Sequence, residues 1–279
     1  MASEPDDGPL FPVDSVTHRV SRESALVLAG GRALLMQLAH PGVAAGVAEH
    51  SDYTRHPLRR LTRTLDLTLG MIFADREGTM ASAREVNRTH RRIRGEGYSA
   101  GDPALLLWVH ATLIDTTLMS YPLFVGPLTE AERSAYYEEA KRLGGLLGLP
   151  ADRYPEGIGG FDAYMREMLA GDELRIDDRA RGLARDVLWP SIGVLPRRVW
   201  HPMAALTAGL LPATLREAYG LPWGRTERGL HAAAVRATRA TVPHLPGRLR
   251  HLAASRARRA AQRAIASPSP ARSAETSPR

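Results

Sequence analysis

Residues 58–94 read LRRLTRTLDLTLGMIFADREGTMASAREVNRTHRRIR and predict two consecutive helices. At about 100° per residue, the first helix, Leu58–Phe73, carries a mostly apolar stripe and, beside it, a mixed stripe. The apolar stripe is Leu61, Leu65, Thr68 and Ile72; the mixed one is Arg60, Thr64, Leu67 and Met71. An arginine on a face that continues as Leu and Met requires an anion, because an unpaired buried charge is very costly. By residue type alone, a structural ion pair is a commoner role for Arg60 than a ligand clamp.

The second helix, Thr79–Arg94, places a histidine in the middle of its apolar stripe. That stripe is Met80, Ala83, Val86, His90 and Ile93, and the outward face is Arg84, Glu85, Arg88, Arg91 and Arg92. A histidine so placed is more often a hydrogen-bonded core residue than a ligand, so the pattern leaves both roles open for His90.

Motifs in and around this helical pair resemble those of the MpaB/rubber-oxygenase family, in its compact bacterial branch. The pair itself carries R-x-x-R-T from Arg60 to Thr64 and V-x-x-x-H-x-x-I-R from Val86 to Arg94. Four further segments extend the resemblance to roughly residues 20–250: GGRALLMQLAHPGVAAGVAEHS, GYSAGDPALLLWVHATLID, FVGPLTEAER and LREAYGLPW.

The resemblance implies an all-helical, haem b-dependent oxidoreductase, an oxygenase that uses dioxygen. His90 matches the proximal iron ligand, and Arg60 and Thr64 match residues that line the haem pocket. Arg63 falls where rubber oxygenases carry a distal lysine, although the helical count directs Arg63 toward solvent. The implied substrate is an apolar, alkene-containing small molecule such as an isoprenoid or a lipid.

Two further histidines are candidates for the same pocket. His110 lies on a helix, Asp102–Tyr121, that is apolar nearly all round and is therefore expected to be central. His40 precedes the helix-ending Pro41, where a cap or turn role competes with a place in the pocket. For His110 the competing role is that of a hydrogen-bonded core histidine, and Asp115 on the same helix is expected to neutralise a buried arginine.

Composition excludes several classes of protein. None of the 279 residues is cysteine, which removes disulfides, cysteine-based metal centres and covalent C-x-x-C-H haem attachment. There is no nucleotide-binding glycine motif, and no histidine follows a glutamate three residues earlier, as di-iron carboxylate bundles require. The N-terminal residues do not resemble a signal peptide and no apolar run is long enough to span a membrane, so we expect a cytoplasmic protein.

The positive charge is concentrated near the C-terminus. The chain has a formal net charge of +7, and residues 248–279 contain eight arginines against one acid, Glu275. A solvated helix end is the simplest interpretation of this basic segment. The alternatives to the oxygenase are a non-catalytic haem-binding or sensing protein, and a helical interaction protein whose basic tail binds nucleic acid or a membrane.

Helical periodicity continues through the chain without convincing strand patterns, which predicts an all-α, single multi-helix domain packed around the haem pocket. We expect a flexible arm over residues 1–20, the helical domain over 21–264 and a disordered Ser/Pro/Arg tail over 265–279. In the first predicted helix, Arg22–Ala39, Gly30 and Gly31 allow either close helix packing or room for a flat ligand.

Overall fold

A computed structural model describes residues 8–50, 57–190 and 196–266, and these residues are mostly helical. The α-helices of these ranges are α1 Val16–Ser21, α2 Gly30–Leu38, α3 Pro41–His50, α4 Pro57–Phe73, α5 Arg76–His90, α6 Pro103–Phe124, α7 Glu130–Leu146, α8 Gly157–Ala170, α9 Asp178–Leu188, α10 His201–Leu210, α11 Ala213–Ala218, α12 Arg225–Thr241, α13 Gly247–Arg250 and α14 Leu252–Ala266. Short 3-10 helices occupy Ser24–Ala29, Ala151–Arg153, Arg197–Trp200 and Val242–His244. The predicted all-α fold class is confirmed.

One small hairpin interrupts the helical pattern that the sequence predicts. Strand β1, Arg94–Gly95, pairs antiparallel with β2, Tyr98–Ser99, and the turn between them contains Gly97 at φ 75°. That backbone conformation favours glycine. Strands of two residues contain no alternation that a periodicity analysis could detect.

Short polar side chains fix where several helices begin. Asp102 accepts a hydrogen bond from the backbone N–H of Ala104 at 2.8 Å, and Pro103 occupies the first turn of α6. Thr129 and Glu132 form a reciprocal capping box at the start of α7. Each of these contacts satisfies backbone donors that have no partner within the helix.

Helix α6 lies at the centre of the main hydrophobic core. Its Trp108, Ala111 and Ile114 are almost completely buried, and α2, α7, α8 and α9 contribute the residues around them. The prediction that this helix is central is therefore correct. Its polar side chains consequently face other helices and need partners there.

A buried arginine joins α2 to α6 and to the end of α10. Only 4% of Arg32 is exposed, and its Nη2 donates to Asp115 Oδ2 at 2.6 Å. Its Nη1 donates to Thr116 Oγ1 at 2.7 Å and its Nε to the Leu210 carbonyl at 2.8 Å. Asp115 thus neutralises a buried arginine, as the sequence analysis expected.

Of the two adjacent glycines, Gly31 allows helices α2 and α10 to pack closely. A Cβ added to Gly31 would lie 2.5 Å from Thr207 Oγ1, so α2 and α10 touch here without room for a larger residue. The chain around the pair also differs from the single predicted helix, because Ser24–Ala29 is a 3-10 helix and α2 begins only at Gly30.

A second hydrophobic cluster lies around α4 and α5 and corrects the prediction for the N-terminus. Phe11 is fully buried in this cluster with Met71, Ile72 and Ala83. The backbone N–H groups of Val16 and Thr17 donate to the Glu139 carboxylate. The predicted flexible arm is therefore too long, since packed structure is present from Phe11 onward.

The other predicted segments, the helical domain over 21–264 and the disordered tail over 265–279, stay predictions. Residues 1–7 and 267–279 lie outside the described ranges. Among the helices that the structure describes, none combines the length and apolarity that a membrane crossing requires.

Replacing Asp115 by alanine should destabilise the protein by about 3 kcal/mol, because the buried Arg32 guanidinium would lose its counter-charge. Urea unfolding followed by circular dichroism measures this change. Glu130→Ala is the matched control: it removes the exposed partner of a surface pair with Arg133 and should cost less than about 1 kcal/mol. Equal losses in the two variants would show that the Arg32 network is not a main source of stability.

Candidate functional site

Helices α4 and α5 form an antiparallel hairpin that is tightly closed at one end. The turn between them is fixed by Asp75, whose Oδ1 accepts from the Gly78 backbone N–H at 2.9 Å. Thr79 Oγ1 donates to the Met71 carbonyl at 3.2 Å. One turn further along, a Cβ on Gly70 would lie 3.0 Å from the Ser82 side chain. These contacts fix the register of the two helices.

Helix α14 packs across the closed end. A Cβ added to Gly70 would lie 3.5 Å from the Ala261 Cβ, and a Cβ added to Gly78 would lie 3.4 Å from it. Arg256 Nη2 lies 3.0 Å from Asp66 Oδ2. The helix that the sequence predicted near the C-terminus is thus part of the packed structure, because small residues on both sides allow close approach.

The opposite end of the hairpin is open. Arg63 on α4 pairs with Glu85 on α5, which places the beginning of α4 and the end of α5 beyond that pair. Burial falls in the same direction: Met71 and Ile72 are buried, whereas Arg63 and Thr64 are exposed. The two sequence motifs R-x-x-R-T and V-x-x-x-H therefore meet at one end of one hairpin, which we call the open end (residues 57–64 and 85–94).

His90 is the last residue of α5 and lies at the open end. Its ring is partly buried, and Nδ1 is inaccessible to solvent and has no hydrogen-bond partner among the residues that the structure describes. Burial lowers the pKa of His90, so the ring favours its neutral form. Buried polar atoms nearly always have partners, so this nitrogen is available to a group beyond the described side chains.

Asn87 lies one turn before His90. Asn87 Nδ2 donates to the Leu146 carbonyl at 2.8 Å and so ties α5 to the end of α7.

The α4 motif residues differ in what the structure says of them. The Arg60 side chain lies outside the described part of the structure, although its helix is described. Thr64 is exposed, which contradicts the prediction that its stripe is buried at this point. The stripe is buried further along the helix, at Met71, because only the C-terminal half of α4 reaches the packed cluster. Arg63 faces solvent as the helical count predicted, with 63% of its side chain exposed.

His110 is satisfied by a tyrosine. Its Nδ1 and the Tyr154 hydroxyl share a hydrogen bond of 2.5 Å in the core, and burial lowers the pKa of His110 to about 4. Gly144 of α7 makes room for this pair, because a Cβ there would lie 1.7 Å from the Tyr154 oxygen. The structure thus supports the core-histidine alternative for His110.

His40 acts in a turn. Its Nδ1 accepts a hydrogen bond of 3.1 Å from the Gly42 backbone N–H at the start of α3. Burial lowers the pKa of His40, and the nearby carboxylates of Asp102 and Glu173 oppose this shift. The cap or turn role that competed with a pocket role is therefore the one observed.

Sequence reasoning missed three buried polar groups, Arg32, Glu23 and Tyr154. Only 2% of Glu23 is exposed, and its Oε2 accepts from Arg250 Nε at 2.7 Å, across 227 residues of sequence. Asp115 on an apolar helix was a usable signal for the first of them. No local pattern points to the other two, because their partners are distant in sequence.

Within the described ranges, no group of three or more metal-ligating side chains is arranged to hold a metal ion.

The chain matches known proteins over most of its length. The family model described as "ER-bound oxygenase mpaB/B'/Rubber oxygenase, catalytic domain" matches residues 18–240. Similar proteins include an uncharacterised protein from Mycobacterium bovis and another from Mycobacterium tuberculosis. Each is 34% identical over 209 residues, covering 70% of this chain and 80% of the relative. No solved structure matches. The chain belongs to the mpaB/rubber-oxygenase family and carries that family's oxygenase-type catalytic domain.

Gly144→Ala should destabilise the protein by about 2 kcal/mol, because the new methyl group displaces the Tyr154 hydroxyl and breaks its bond to His110. Gly145→Ala is the neighbouring control on the same helix: nothing lies within 4 Å of its Cβ position. It should stabilise the helix by about 0.5–1 kcal/mol. Thermal and urea unfolding of both variants measure the contrast, and the same sign of change in both would contradict the packing described for Gly144.

Stability should fall in acid through His110. Its pKa is 6.5 when unfolded and about 4 when folded, so between these values the unfolded state binds more protons. The stabilisation is fully present above about pH 6.5 and is lost toward pH 4, by about 3 kcal/mol in all. Urea unfolding at several pH values should give a shallower pH dependence for His110→Gln than for the wild type. An unchanged slope would assign the dependence to other groups.

Proposed function

We propose that this protein is a haem b-dependent oxygenase that acts on an apolar, alkene-containing small molecule. The observation that carries the proposal is the buried, unpartnered Nδ1 of His90 within the family's helical motif. Membership of an oxygenase family supports the class of reaction. The haem, the ligand set and the substrate class are the parts that we propose.

His90 would hold the haem iron from the proximal side. A neutral imidazole is the form that binds metals, and burial favours that form here. An iron-bound imidazole usually donates its other N–H to an acceptor. Asn87 Oδ1, one turn before His90, is the candidate, because the Asn87 bond to the Leu146 carbonyl uses Nδ2. With no cysteine in the chain, the haem would be held without covalent bonds.

The open end offers residues that suit the rest of a haem. Val86 and Ile93 are apolar side chains on either side of His90 in sequence, each packed against a neighbouring part of the chain, and their exposed remainder is suited to the porphyrin face. Arg91 is an exposed cation on the same stretch, suited to a propionate, whereas Arg88 is paired with Glu85. The residues at this end fit the group, since they combine an unpartnered nitrogen, apolar surface and positive charge.

Arg60 and Thr64 would complete the site from α4. One helical turn separates them, and α4 carries both to the end of the hairpin where His90 lies. Arg60 would compensate anionic charge at the haem or orient bound dioxygen, and Thr64 would supply a hydroxyl for the same purpose. The bound haem would supply dioxygen activation, the step for which the chain has no group of its own. The chain's contribution is to bind, to orient and to exclude water.

His90→Ala should remove most of the haem while leaving the fold intact, because the ring is partly exposed and forms no hydrogen bond to any side chain or backbone group that the structure describes. Protein expressed with a haem precursor is purified and its haem content measured as the pyridine haemochrome. Spectra are recorded as isolated, after dithionite, and with carbon monoxide. His50→Ala is the matched control: His50 is exposed, lies on α3 and contacts the backbone carbonyl of Arg94 at 3.1 Å.

The proposal expects a Soret band in the wild type and in His50→Ala that shifts with carbon monoxide, and loss of most of this band in His90→Ala. Full haem content with an unchanged spectrum in His90→Ala would refute the ligand assignment. A Soret band that does not respond to carbon monoxide would contradict an open oxygen site. A colourless folded wild type would overturn the haem proposal altogether.

A further inference from the structure

The segment between α12 and α14 reverses the usual placement of apolar and charged side chains. Leu245, Leu249 and Leu252 are 40%, 51% and 52% exposed. Between them, Arg250 turns inward and donates to the buried Glu23 carboxylate. Single exposed leucines are ordinary, but three within eight residues, beside an arginine that is turned inward, form a distinct apolar surface. We call it the leucine ridge.

The leucine ridge is held firmly against the rest of the protein. Val242 is 3% exposed and precedes it, and Ala254 is 6% exposed and follows it. Two contacts anchor the chain between Val242 and Ala254. Arg250 Nε donates to Glu23 Oε2 at 2.7 Å, and the backbone N–H of Ala253 donates to Ser24 Oγ at 3.0 Å. The leucines are therefore exposed because both flanks are anchored, so the fold presents them to solvent in a fixed position.

Positive charge continues the ridge along α14. At about 100° per residue, Arg259 and Arg263 fall on the same stripe as Leu252, opposite Ala257 and Ala261, which face the hairpin. Both arginines are exposed, and neither forms a salt bridge with any residue that the structure describes. Residues 228–274 contain no aspartate or glutamate. One surface thus combines an apolar ridge with uncompensated cations.

We propose that the leucine ridge and the outward face of α14 dock the protein on an anionic phospholipid surface. The leucines would enter the boundary between headgroups and acyl chains, and the arginines would contact lipid phosphates, as in interfacial amphipathic helices. Charge complementarity points to acidic lipids, because Arg259 and Arg263 attract them, residues 228–274 carry no carboxylate, and Asp66, which lies against α14, is paired with Arg256.

The apolar component favours a membrane over a nucleic acid as the partner. Leucines gain burial in the acyl region but gain little from a phosphodiester backbone. Bases stack best on large aromatic side chains, and residues 242–266 contain no Phe, Tyr or Trp. The docking surface is independent of the haem proposal, because it includes no residue of the open end.

Flotation of the full-length protein with vesicles tests this inference. One set is phosphatidylcholine alone, and the other contains about one-third phosphatidylglycerol. The wild type should bind the acidic vesicles at least about tenfold more strongly, and higher salt should weaken binding. Leu249→Ser/Leu252→Ser should reduce binding by about tenfold or more, and Arg259→Ser/Arg263→Ser should abolish the preference for acidic vesicles.

The matched control is Val199→Ser/Met203→Ser, which removes two exposed apolar side chains from another part of the surface, 52% and 41% exposed. It should bind as the wild type does. Circular dichroism verifies that all variants remain helical. No binding to acidic vesicles, or equal losses in the control and the leucine variant, would overturn the inference. The inference would also be overturned if the protein bound duplex DNA tightly and not vesicles, and if the leucine variant kept that DNA binding.

Discussion

The buried guanidinium of Arg32 is the constraint on which the main core depends. Its charge must be compensated wherever it is enclosed, and the compensation comes from Asp115 and Thr116 on α6 and from the Leu210 carbonyl at the end of α10. Those three partners fix α2, α6 and α10 relative to one another, because an arginine fork tolerates little change in geometry. Once α6 is fixed, so is His110, whose partner Tyr154 and neighbour Gly144 belong to the same core.

The three histidines proposed for one pocket have different environments. His40 accepts a bond from the turn that begins α3, and His110 is paired with Tyr154. His90 has a buried nitrogen with no partner. The difference follows from position: His40 and His110 lie where neighbouring backbone or core residues reach them, whereas His90 lies at the open end of a hairpin. Of these three candidate histidines, only His90 has a buried nitrogen without a partner among the described residues.

The α4–α5 hairpin combines rigidity and openness, which a cofactor site needs. Close approach at Gly70 and Gly78, with Ala261 of α14 seated against both, holds the closed end. The clamp between Glu23 and Arg250 holds the beginning of α14 in turn. Packing of this kind resists motion because interiors are dense. The open end is less buried, although Ile93 approaches Gly46 of α3 and Asn87 binds the Leu146 carbonyl, and the family's motif residues belong to this end of both helices.

The sequence alone determined the all-α class, the limits of α4 and the start of α6, and the family, because helical periodicity and ordered motifs are local signals. It also identified α6 as central and anticipated a counter-ion role for Asp115. Only the tertiary structure decided which half of α4 is buried, and hence that Thr64 is exposed while Met71, on the same stripe, is not. It also decided the partners of Glu23, Arg32 and Tyr154, and that Phe11 belongs to the core. The physical reason is the same in each case: these outcomes depend on contacts between residues far apart in the chain, and no periodicity within one helix records which neighbour will cover it.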